Sequence, residues 1–108
     1  MSESDKKLNG AQLRLLAVIE ILSGNEVFGL RLKDVHDALM KTDDQASNST
    51  VLHDLEALEG RGWAQQLEDG KWRLAAKPIQ ILHNFQYGLQ SAGIKLSDVQ
   101  QRYSRIPT

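Results

Sequence analysis

The chain has 108 residues, 41% of them apolar and 25% charged, with a formal net charge of −1 at pH 7. That size suits one domain with a modest core, and the absence of cysteine excludes a disulfide framework, a thiolate metal site and cysteine redox chemistry. The small total conceals an asymmetry: residues 1–60 hold six Lys/Arg against eleven Asp/Glu, a net of −5, while residues 61–108 hold seven against three, a net of +4. A negatively charged partner is expected to meet the second half.

Residues 1–9 are small, polar and charged and read as a disordered tail, since they cannot bury enough surface to offset ordering entropy. They lack the apolar core of a signal peptide. The most apolar run, Ala11 to Leu22, is broken by Gln12, Arg14 and Glu20 and is too short to cross a bilayer, so a soluble, cytoplasmic protein without a membrane partner is expected. In that run Leu15, Val18, Ile19 and Leu22 share one helical face, and Leu13, Leu16, Ala17 and Ile21 widen it, as in a helix covered on more than one side. Ser23-Gly24-Asn25 stops it, with Gly24 suited to a left-handed cap.

"EVFGLRL" should be extended or a short strand, and Leu32 to Met40 a second helix with Val35 and Leu39 inward. "KTDDQAS" breaks that helix through side chains that bond to local backbone. Ser47 fits the N-cap of a third helix, in which Val51, Leu55 and Leu58 recur at i, i+4 and i+7. Gly60-Arg61-Gly62 ends it. Trp63 to Leu67 and Lys71 to Leu74 flank Asp69-Gly70, the signal of a hairpin, because the turn requires a positive φ that glycine accepts. Pro78 fits the first turn of a fourth helix, with Ile79, Leu82, Phe85 and Leu89 on one side and Gly93 at its end. Ser97 and Gln100 then have capping-box spacing ahead of a stripe of Leu96, Val99 and Tyr103.

The stretch "NSTVLHDLEALEGRGWAQQLEDGKWRLA" resembles the recognition helix and wing of IclR-type transcriptional regulators. The matching features are the polar cluster ending in Ser-Thr-Val, the Leu-x-x-Leu-Glu pattern, the Arg-Gly-aromatic stop, and short strands around Asp-Gly that end in aromatic-Arg-Leu. The resemblance spans roughly residues 11–78. It implies a mainly α fold with a small β-hairpin, a winged helix-turn-helix over residues 10–77 followed by a C-terminal helical extension over 78–108. It also implies sequence-specific binding of double-stranded DNA and a role in transcription regulation, with the third helix in the major groove and the wing on phosphate. The linker from Leu39 to Ser49 is longer than in the IclR type and is closer to the ferric-uptake-regulator type. The metal-binding Cys and His clusters of that type are missing, so no metal is carried over.

With Val51, Leu55 and Leu58 inward, Thr50, His53, Asp54, Ala57 and Arg61 should face out. Short polar side chains at a helix N-terminus suit base edges and phosphate, so Asn48, Ser49, Thr50 and His53, with Arg61, are the DNA-contact candidates on this helix. On the hairpin, Lys71 and Arg73 alternate with Trp72, placing both cations on one face for backbone phosphate and the indole on the other. His36, His53 and His83 lack metal-ligand spacing. The chain has no nucleophile elbow, Gly-rich phosphate loop or paired acid-base motif, so a non-enzyme without cofactor or small-molecule ligand is expected. Two alternatives remain open: a winged-helix adaptor that binds protein through its acidic first half, and a structural oligomerisation unit. The wide apolar face of the first helix and the helices after Pro78 leave two readings open, a homodimer through these faces or a fourth helix folded back over the first.

Overall fold

The computed structural model describes residues 7–93, 98 and 100–102. It is mainly helical, in the order α1 (Gly10–Leu22), α2 (Leu32–Leu39), α3 (Asn48–Gly60), β1 (Ala64–Gln66), β2 (Trp72–Leu74) and α4 (Ala76–Ser91). The chain divides into two compact units, one up to Ala76 and one from Lys77 onward.

The first unit builds its core from one face of each of its helices and from the hairpin. Val18 and Leu22 of α1, Val35 and Leu39 of α2, and Val51, Leu55 and Leu58 of α3 are buried together with Ala64 and Trp72. These are inward residues at i, i+4 and i+7 spacing, where the 3.6-residue repeat stacks side chains on one face. Leu13 and Leu16, by contrast, are nearly half exposed, so the wide apolar face of α1 is not covered all round. The start of α1 also moves. Asn9 is its N-cap: the Asn9 side chain accepts the Gln12 N–H at 2.8 Å and the Gln12 side chain accepts the Asn9 N–H at 2.9 Å. A reciprocal capping box satisfies two donors that have no partner inside the helix, which takes Asn9 out of the tail. The stop after α1 is as the sequence suggests, with Gly24 at φ +87°.

The hairpin pairs Ala64 with Leu74, Gln65 with Arg73 and Gln66 with Trp72, and Gly70 at φ +88° turns it. Each strand has three residues, shorter than the runs in the sequence, because Leu67 N–H to the Lys71 carbonyl at 2.7 Å already closes the turn. The extended piece ahead of α2 is anchored at one point. Leu30 and Trp72 exchange both backbone hydrogen bonds, at 2.8 and 2.7 Å.

Gly29, next to that anchor, has φ +74°, and a Cβ there would lie 3.0 Å from Lys71 Cβ and 3.1 Å from the Trp72 carbonyl oxygen. Only glycine combines the positive φ with so close an approach. It is this residue that lets the segment lie against the hairpin.

The second unit contains nearly all of α4. None of its residues is buried, and Pro78 sits in its first turn, where a missing N–H costs nothing. The Ser97 cap and the stripe of Leu96, Val99 and Tyr103 lie outside the described residues. Among the described residues no helix is long and apolar enough to cross a membrane.

Candidate nucleic-acid interface

The start of α3 is built by Ser47, whose hydroxyl accepts the Thr50 N–H at 3.2 Å while its carbonyl accepts the Val51 N–H at 3.0 Å. This is the N-cap expected from the polar cluster. It leaves Asn48 and Ser49 exposed on the first turn and His53 exposed one turn later. Ser49, His53 and Ala57 are spaced by four residues and line one outer stripe. Thr50 differs from the expectation: it is half-buried, and its hydroxyl oxygen accepts from the Ser47 hydroxyl at 3.1 Å. Its side chain therefore serves the cap before any ligand. Arg61 is exposed at the C-cap of α3, about 18 Å along the helix axis from Ser49 at 1.5 Å per residue. It belongs to the far end of the helix and not to the polar N-terminal group.

Asp54 corrects the outward set. It is buried, at 8% exposure, and forms a two-point pair with the Arg14 guanidinium: Arg14 Nε donates to Asp54 Oδ2, and a terminal guanidinium nitrogen donates to Oδ1 at 3.1 Å. The helical repeat alone puts Asp54 at the edge of the inner face, beside Val51, Leu55 and Leu58, where a carboxylate is costly without a partner. Arg14 supplies that partner across forty residues of chain, and the bonds from Asp54 raise the already high Arg14 pKa, with the charges of Asp54 and Asp44 adding to them. Sequence reasoning passed over Arg14 as an interruption in the apolar run of α1. Its signal was the position itself, a fork-shaped cation between Leu13 and Leu15 in the apolar run of α1, which a carboxylate on a neighbouring helix can meet at two points.

Glu59 is also committed. Its carboxylate accepts the Gln66 N–H at 3.2 Å, tying the end of α3 to the hairpin. Glu56 stays exposed on the outer surface of α3.

The hairpin cations are more restrained than their alternation suggests. Trp72 is buried at 2% exposure, as expected, whereas Trp63 is only partly buried against the core. Lys71 is half-buried with Nζ 3.9 Å from the Asp69 carboxylate. Arg73 donates from Nε to the Gln65 side-chain oxygen at 3.2 Å, across the register pair, and from a terminal nitrogen to the Glu26 carbonyl at 3.3 Å. Lys71 is the cation freer to reach phosphate, and Arg73 staples the loop before α2 to the hairpin.

No family model, no curated protein and no solved structure matches this chain. The interface therefore stands on its own geometry. In the loop between α1 and α2, Val27 and Phe28 are 80% and 78% exposed, two large apolar side chains in adjacent positions next to Glu26, whose carbonyl accepts from Arg73. His36 Nδ1 lies 3.2 Å from the Asp37 carboxylate. Among the described residues no three or more His, Asp or Glu are grouped so as to hold a metal ion.

Proposed function

We propose that the first unit is a winged helix-turn-helix that binds double-stranded DNA and regulates transcription, with α3 reading the major groove and the hairpin lying on adjacent phosphate. The observation that carries this reading is the burial of Asp54 against Arg14. That carboxylate is turned toward α1 and paired, so it does not stand among the candidate contacts. The first two turns of α3 thus offer Asn48, Ser49 and His53 without a negative side chain among them, a surface that suits base edges and a helix N-terminus that suits phosphate. The short cap-and-wing arrangement supports the same reading, because Glu59 and Arg73 use their polar groups to set the hairpin against the helical core.

The test is fluorescence anisotropy of labelled random-sequence duplex titrated with wild type and with His53→Glu/Lys71→Glu at two low salt concentrations. His53 is exposed and Lys71 has only a long contact to Asp69, so both changes leave the core alone. Wild-type binding that weakens as salt rises and drops by about tenfold or more in the variant supports the proposal. Equal affinity of the two proteins, or no wild-type binding at the lowest salt, sinks it.

A second reading, a protein-binding adaptor, has its own observation in Val27 and Phe28. An exposed aromatic beside an exposed branched residue suits a protein contact better than a phosphate backbone. The proposals separate cleanly, since Phe28→Ser should abolish docking on a protein and leave the anisotropy titration unchanged.

A further inference from the structure

Asn9 alone among the asparagines precedes a glycine; Asn25, Asn48 and Asn84 precede Glu26, Ser49 and Phe85. The pair stands at the start of α1, where Asn9 and Gly10 are both exposed. The capping box fixes what surrounds the Asn9 amide. Its oxygen accepts the Gln12 N–H at 2.8 Å, and the Gln12 side chain accepts the Asn9 N–H at 2.9 Å. Gly10 is the first residue of the helix, so its own N–H has no acceptor within the helix, and a Cβ at this position would meet nothing within 4 Å.

An electrophile, a nucleophile and a donor for developing charge are thereby assembled between Asn9 and Gln12. We propose that Asn9 is a site of spontaneous covalent modification, at which the Gly10 backbone nitrogen attacks the Asn9 side-chain carbonyl carbon. A bond forms from Gly10 N to Asn9 Cγ, the Cγ–Nδ2 bond breaks, and the Gly10 amide proton leaves with the departing ammonia. Water then opens the cyclic imide at either carbonyl, giving aspartate or isoaspartate, and no oxidant or reductant takes part. The Gln12 N–H that caps through Oδ1 also stabilises the negative charge that builds on that oxygen during attack, and the helix N-terminus favours the same charge. Glycine matters at the nucleophile because the Asn9–Gly10 peptide must rotate toward the side chain, and a residue without a Cβ follows with least obstruction.

The two products act differently on the helix. Aspartate keeps an N-cap acceptor of equal rank. Isoaspartate routes the main chain through the former side chain and lengthens it by a methylene, so the spacing of the capping box is lost and the turn that leads to Arg14 frays. The inference is independent of the DNA proposal.

The test is to age the full chain at neutral pH and physiological temperature and to follow each asparagine by peptide mapping with mass spectrometry, beside Gly10→Ala and Asn9→Ser. Gly10→Ala has room for its methyl group, and Asn9→Ser keeps a capping oxygen but has no amide to lose; circular dichroism checks that both retain the fold. The expected result is amide-to-acid conversion at Asn9 ahead of Asn25, Asn48 and Asn84, with isoaspartate among the products and a rate about tenfold lower in Gly10→Ala. The melting temperature of the isoaspartate fraction should fall by roughly 4 °C or more, while aged Asn9→Ser melts as it did when fresh. An Asn9 that outlasts the other asparagines overturns the inference. So does conversion that Gly10→Ala leaves at the wild-type rate or that yields aspartate alone, since either takes the backbone nitrogen out of the reaction. An isoaspartate fraction that melts with the unaged protein overturns the loss of the cap.

Discussion

Arg14 and Asp54 show how a single long-range pair alters the meaning of a surface. Their side chains are 19% and 10% exposed, so the pair lies between the surface limit, where ion pairs contribute little, and the buried limit, where losing one partner is severe. Arg14→Met should therefore destabilise the first unit by about 2 kcal/mol in urea unfolding, since it leaves the Asp54 carboxylate without its fork. Adding Asp54→Leu should recover most of that loss, because removing both partners removes the unpaired charge along with the bond. A double variant no more stable than the single one would mean that Asp54 is held by water and not by Arg14.

At the scale of elements, turns and helix ends carry the stability that substitutions can reach. Gly29 combines φ +74° with a Cβ position 3.0 Å from Lys71 Cβ, so Gly29→Ala should cost roughly 2–3 kcal/mol and loosen the hairpin. Gly60 is the last residue of α3, and a Cβ there meets nothing within 4 Å; Gly60→Ala should stabilise by about 0.5 kcal/mol. Gly62, two residues on, has φ +79°, and the same substitution there should have the opposite sign. Thermal melts of the three variants rank them directly.

The start of α2 offers a pH-dependent case. Asp34 accepts two bonds from the Arg31 guanidinium, both at 3.0 Å, and one from the Arg31 N–H at 3.2 Å, and these bonds, the side-chain ones foremost, lower its pKa. A carboxyl with a depressed folded pKa contributes stability above its ordinary value, and that contribution is lost as pH falls through the lowered folded value. Carbon-detected NMR titration should give Asp34 a midpoint below that of exposed aspartates without a partner, and Arg31→Gln should raise it toward them.

For the whole molecule the charge division at residue 60 sets what DNA binding can look like. Arg73 is tied to Gln65 and the Glu26 carbonyl and Arg61 lies at the far end of α3, so one chain should displace about one counterion through Lys71, and the logarithm of affinity should fall with the logarithm of salt at a slope of about −0.9. Paired chains that both engage the duplex would about double it. A slope steeper than that of a pair would show that cations elsewhere, such as Lys33 or Lys77, also reach the phosphates.

The division of labour between sequence and tertiary structure follows from the range of the interactions. Helix periodicity, the Ser47 cap, the stops at Gly24 and Gly60–Gly62, and the Asp-Gly hairpin are local, each written within a few residues, and they were legible in the order of amino acids alone. The mainly helical architecture with its small hairpin and the buried Trp72 came from the same signals. Asp54 was misplaced although the helical repeat sets it at the edge of the inner face; what its neighbours in sequence could not reveal was the guanidinium forty residues away on another helix. Gly29 was passed over because the atoms that crowd it belong to Lys71 and Trp72. Arg73 looked like a free cation until the Glu26 carbonyl and Gln65 were seen around it. Such pairings depend on which elements touch, and only the folded chain brings them within hydrogen-bonding reach.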